Sequence, residues 1–192
     1  MSRLSLEQAS TSEALAQFDA LPPVDIPFLL GAWKGESVPT GHPLDGVLEA
    51  FHWHGKRFDS AEAVHPLVFT GPGGGRVCVD PKAVGPALGL IGRVPLPRSA
   101  LAGRLFQLLL PLLATVHPRA RLRIISCRGT PSAAMVYDHL PIQDVFRKLD
   151  EDTVLGLMDL RGMEQPFFFL LRREGPGGAS EENRAPSHSV TI

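Results

Sequence analysis

The sequence predicts a mainly β protein, a single antiparallel β-barrel of about nine to ten strands with a short N-terminal helix and one inserted leucine-rich helix. Three observations carry this. In Gly31-Ala32-Trp33-Lys34-Gly35 both glycines and the tryptophan fall on one strand face, so the indole lies between two positions without side chains, as the closed end of a small barrel requires. Short apolar segments separated by turn residues fill both halves of the chain. The 192 residues, 44% of them hydrophobic, suffice for one core, and about nine strands in one domain close more readily than they leave an exposed edge.

In chain order, residues 1–22 form an N-terminal helix and lead-in. Ser10 and Glu13 make a capping-box pattern ahead of Ala14, Leu15 and Phe18, which predicts a helix over 11–20 that Pro22 and Pro23 end. The barrel occupies 23–174, its first part running from 23 to 80 with strands expected over 31–35, 47–58, 65–70 and 76–80. Thr70 to Gly75 is glycine-rich, yet no Lys-Ser/Thr pair or helix start follows, so it reads as a hairpin loop and not a phosphate cradle. A helical insertion, 81–117, contains Leu101, Leu105, Leu108, Leu109, Leu112 and Leu113 at helical intervals. Pro111 kinks the expected helix, 98–116, whose apolar circumference calls for burial on more than one side, against the barrel, or for a place over an opening whose other side is a ligand or a membrane surface. Arg104, Gln107 and Pro111 interrupt it, and it is too short to span a bilayer. A second meander, 118–174, has strands expected over 120–127, 132–138, 142–149, 154–160 and 166–173. The tail, 175–192, is rich in Gly, Pro, Ser and Glu and reads as disordered.

Charge excludes some partners. Lys and Arg number 19 against 20 Asp and Glu, which gives no draw toward nucleic acid. The first residues carry no basic region followed by an apolar run, so cytoplasm is the expected compartment. Cys78 and Cys127 share no metal or redox spacing, and reduced thiols are the expectation, with a disulfide the alternative. Val190-Thr191-Ile192 matches the carboxylate pocket of a PDZ-type partner.

Gly31 to Gly35, then Gly41-His42-Pro43-Leu44-Asp45-Gly46, then Trp53 with Gly55-Lys56-Arg57-Phe58, resemble the GXWXG domain family. The second half, with Ala133 to Asp138, Pro141-Ile142, Asp144, Phe146-Arg147, Gly156, Met158-Asp159 and Phe167 to Phe169, resembles the uncharacterised domain that accompanies it. More remotely, Phe28 to Glu36 is similar to the start of nitrobindins and of lipocalins, which implies a calycin-like barrel. The lipocalin likeness implies an arginine over Trp33, here Arg172 or Arg173. The nitrobindin likeness implies haem, but the strand expected over 166–173 has no histidine, so no haem ligand set is expected and no cofactor is assigned.

Each candidate site has two readings. His52 and His54 alternate on one strand face and could hold zinc or copper with His42 or Asp45. The other reading is an exposed polar face that they share with Lys56. Asp144 and Asp159 each interrupt an apolar row; across a four-residue turn, Asp150 to Thr153, they fall opposite each other and could act as acid and base, with Tyr137 and Arg147 beside them. Otherwise each is a hydrogen-bonded structural carboxylate. Trp33, Phe51, Trp53, Met135, Tyr137, Phe146, Met158 and Phe168 are the expected ligand-binding residues. The function expected is an intracellular carrier or sensor of a small hydrophobic ligand such as a lipid or fatty acid, with transient membrane contact through 98–116. The alternatives are a barrel enzyme using the paired aspartates, a haem-binding nitrobindin-like protein and a non-catalytic interaction module.

Overall fold

In a computed structural model that describes residues 9–88 and 98–175, nine antiparallel strands form one sheet that closes on itself. They are β1 Gly31–Val38, β2 Trp53–Phe58, β3 Val64–Thr70, β4 Arg76–Cys78, β5 Ala120–Cys127, β6 Thr130–Tyr137, β7 Ile142–Lys148, β8 Thr153–Leu160 and β9 Phe167–Arg173. Their order is β2-β1-β9-β8-β7-β6-β5-β3-β4, and β2 also pairs with β3, so the ring closes there and β4 is a short strand paired with the 68–70 end of β3. The β3–β5 seam is narrow, with Val64 opposite Ala120. Five helices accompany the strands: α1 Thr11–Ala20, α2 Ile26–Leu29, α3 Val47–Ala50, α4 Pro81–Leu88 and α5 Ala100–Leu113.

Helix α1 starts where the capping box places it. The Ser10 hydroxyl accepts from Glu13 N–H, and Glu13 accepts in turn from Ser10 N–H at 2.7 Å. Its Ala14 and Phe18 lie on the outside of the barrel against Val145, Leu155, Phe168 and Leu170. Strands β7 to β9 are therefore covered on both faces, which is why burial does not alternate along them and why β8 and β9 read as apolar runs. The interior holds a second cluster that includes Trp33, Phe58, Met135, Phe146, Phe167 and Phe169.

The glycine-tryptophan strand closes one end together with α2. Trp33 is fully buried and donates from Nε1 to the Leu29 carbonyl at 2.7 Å. The arginine over its ring is Arg173, 4.3 Å from the ring centre, which donates to the Phe28 and Leu30 carbonyls. Gly35 is the flat spot on which the Trp53 indole lies. Thr70 to Gly75 is a hairpin loop, with Gly71 N–H bonded to the Gly75 carbonyl at 2.9 Å.

Four expectations change. Residues 47–50 are helical and only 53–58 are strand, because Gly46 takes a left-handed conformation (φ 74°) and turns the chain into α3. Across the β7–β8 hairpin Leu149 N–H bonds the Thr153 carbonyl, Lys148 pairs with Val154, and Asp144 therefore faces Met158, not Asp159. That slip of one residue puts the two carboxylates on opposite faces. Lys56 is buried, not exposed (see below). Finally, α5 is not buried on several sides: Leu101, Leu108 and Leu112 are 75%, 76% and 81% exposed, and Leu105 and Leu109 are exposed too. The barrel receives a different face of the helix, formed by Gly103, Phe106, Gln107 and Leu110.

Cys127 is a free thiol, so the two cysteines are not bridged. Among the described residues no helix is long and apolar enough to cross a membrane. The expected disordered tail, beyond 175, and the C-terminal Val190-Thr191-Ile192 motif lie outside the described residues.

Candidate functional site

A cavity of about 240 Å³ occupies the barrel at the end opposite Trp33 and α2. Its walls are apolar. Trp53, Phe69, Ile142, Met158, Phe167 and Phe169 come from strands, while Leu44, Val47, Leu48 and Phe51 come from the segment through α3. Val84 of α4 and Phe106 of α5 cover the mouth. Phe106 is inserted between Phe51 and Phe69, at 5.1 and 4.9 Å between ring centres. The approach of α5 depends on Gly103, where any side chain would meet the Ala50 carbonyl. Gln107 ties the helix down by donating to the Thr70 carbonyl at 3.1 Å, and backbone bonds from Asp80 to Leu113 and from Thr115 to Cys78 anchor its end on β4.

Besides the Trp53 indole, whose N–H has no partner among the described residues, three polar side chains reach this apolar chamber: Lys56, Asp144 and Tyr137. Lys56 Nζ lies 2.8 Å from Asp144 Oδ2, with the two side chains 4% and 0% exposed. It also donates to the Pro66 carbonyl at 3.2 Å. The ammonium sits among aromatic faces, 4.9 Å from Phe169, 5.6 Å from Trp53 and 5.8 Å from Tyr137. Burial pushes the Asp144 carboxyl above the ordinary range, and Lys56 pulls it part of the way back. Burial, with the nearby Asp144 charge, holds the Tyr137 phenol well above its ordinary value, so it stays neutral.

Lys56 is the cavity residue that alternation along the strand conceals. Trp53 and Lys56 are three apart and should face opposite sides, yet both face the cavity, because β2 is irregular against β3 on either side of Gly55. Gly55 has φ 151° and leaves no room for a Cβ against the Trp33 carbonyl. A glycine inside a strand pattern, next to a lysine, was the one available signal.

Of the expected ligand-binding residues, Phe51, Trp53, Tyr137 and Met158 line the cavity. Trp33, Met135 and Phe146 are packed in the interior core. Phe168 is a correction: alternation along β9 points Phe167 and Phe169 inward and Phe168 outward, 6.4 Å from Phe18 of α1. The four residues of the acid-base alternative are divided by the wall. Asp144 and Tyr137 face in; Asp159 is exposed and accepts from Gln143 at 3.0 Å, and Arg147 lies beneath α1, 4.9 Å from the Phe18 ring. The paired-aspartate site does not form.

The three histidines are likewise apart. His42 is buried beside Phe167, its Nδ1 accepting from Leu44 N–H at 3.0 Å, and burial holds its pKa below the ordinary value. His54 is bonded to Glu174 at 2.9 Å, and His52 stands in a turn with φ 62°. Among the described residues no cluster of three potential metal ligands occurs.

Residues 16–74 match the family described as GXWXG protein, and residues 118–173 match the domain of unknown function DUF4334. A crystal structure of a protein from Thermomonospora curvata is similar over 88% of this chain and 90% of its own, with 30% identity and a TM-score of 0.65. No curated protein matches the chain. With both halves of the motif set matched and the barrel shared over nearly the whole length, the chain belongs to the GXWXG family and carries the DUF4334 domain as the second half of the same barrel.

Proposed function

We propose that this protein binds a small hydrophobic ligand inside the barrel, as an intracellular carrier or sensor. The observation that carries the reading is the cavity: an apolar chamber with a few converging polar groups and a helix across its mouth is the usual form of a small-molecule site. The outer face of α5, with Leu101, Leu105, Leu108 and Leu112 exposed and Arg98 and Arg104 as the nearby charges, supports transient contact with a lipid surface from which an apolar ligand is collected. The free thiol of Cys127 is in keeping with a cytoplasmic location. Native mass spectrometry of freshly purified protein tests the reading, and a co-purified small apolar molecule is the expected result. Absence of any adduct, together with no change in Trp53 emission on adding decane, would count against it.

One observation favours an enzyme as the second reading, the convergence of Lys56, Asp144 and Tyr137 on one chamber. Turnover found by substrate screening and lost in Tyr137→Phe would move it to first place.

A further inference from the structure

The charge pair in the cavity wall has more hydrogen-bonding capacity than the protein uses. A carboxylate offers about four acceptor positions. Asp144 is fully buried, Lys56 is its ion-pair partner, and Oδ1 has no donor among the described residues. An ammonium has three N–H groups. Lys56 faces Asp144 Oδ2 across the ion pair and gives a hydrogen bond to the Pro66 carbonyl, which leaves at least one donor. Buried polar groups are ordinarily satisfied, and an ion pair inside a protein adds little stability that apolar residues of similar volume would not. A spare acceptor and a spare donor side by side match a hydroxyl, which donates one hydrogen and accepts on its lone pairs.

Charge selects the class of ligand. A carboxylate would place a second negative group beside Asp144 with one ammonium to serve both, and an amine would place a second positive group beside Lys56. A ketone would accept from Lys56 and leave Asp144 Oδ1 without a donor. An uncharged alcohol keeps the chamber neutral and uses both groups. The cavity, about 240 Å³, exceeds the ~150 Å³ that admits benzene, which in proportion corresponds to about ten carbon atoms.

We propose that Lys56 and Asp144 form a hydroxyl-recognition site for a neutral, apolar alcohol of about ten carbons, with Asp144 accepting the hydroxyl hydrogen and Lys56 donating to its oxygen. This rests on the ligand-binding reading above and specifies its head group.

The test compares 1-decanol, decanoate and decane at neutral pH, followed by tryptophan emission, in the parent and in the Lys56→Met/Asp144→Leu double variant. The parent should bind 1-decanol about tenfold or more tightly than decanoate, the size expected for hydrogen bonds to charged groups. The double variant should lose about tenfold in decanol affinity and keep its decane affinity. Equal or tighter binding of decanoate by the parent overturns the proposal, and so does undiminished decanol binding by the double variant. A double variant that fails to fold leaves the parent's preference between alcohol and acid to decide. No binding of any of the three, decane included, would sink the ligand-binding reading itself; binding of decane without preference for the alcohol sinks the head-group assignment alone.

Discussion

Asp144 and Asp159 look alike in the sequence, each a lone carboxylate in an apolar row, and one residue of register gives them unrelated environments. Asp144 neutralises a buried ammonium, while Asp159 is exposed and bonded to Gln143. Replacing each by asparagine should separate them. Asp144→Asn leaves the Lys56 charge buried without a counter-ion and should cost about 3 kcal/mol or more, whereas Asp159→Asn should fall within about 0.5 kcal/mol of the parent. Urea unfolding measures both, and equal losses would mean that the Lys56–Asp144 pair is not the buried contact described. The Trp33 environment was readable in advance, since a large ring flanked by two glycines has few places to go but inward. Lys56 was not readable, because the irregularity at Gly55 breaks the strict alternation on which any face assignment depends.

At the scale of elements, α5 is the part whose sequence says least about its placement. Leucines occur nearly all round it, so periodicity identifies a helix without choosing a face. The choice is made by shape: Gly103 lets the helix approach the end of α3, and Phe106 enters the aromatic slot between Phe51 and Phe69. Leu101, Leu105, Leu108, Leu109 and Leu112 are then left outside. Gly103→Val should lift α5 from the mouth while the strands hold, seen as faster hydrogen exchange through 100–113 and unchanged protection in β6 to β9. Uniform loss of protection would show that the helix and barrel unfold as one unit. The other elements needed less from their surroundings. The α1 start follows from Ser10 and Glu13 alone, and β5 to β9 follow from apolar runs between turn residues.

For the whole molecule, the turn through His42 joins the segment leading to α3 with β9 at the open end of the ring, and it makes stability depend on pH. Burial holds the His42 imidazole below its ordinary value of 6.5. The unfolded chain therefore binds a proton that the folded one resists, so this contribution is complete above about pH 6.5 and is lost as pH falls below it. Asp144, raised by burial, acts with the opposite sign, and the informative quantity is the difference between parent and variant. His42→Asn keeps an acceptor for Leu44 N–H without the titration and should flatten the melting-temperature profile between about pH 7 and 5. A parallel slope in both proteins would exclude His42 as its source. By itself the sequence determined what short-range rules decide: that the chain is mainly β, that it closes around a glycine-flanked tryptophan, where its first helix begins, and which family motif it carries. The tertiary structure alone decided which side chains meet. Inside or outside in a closed sheet depends on register, and register is set jointly by hairpin bonds, an irregular glycine and the strands on either side. The meeting of Lys56 with Asp144, from strands β2 and β7 that are not neighbours in the sheet, exists only once the ring has closed.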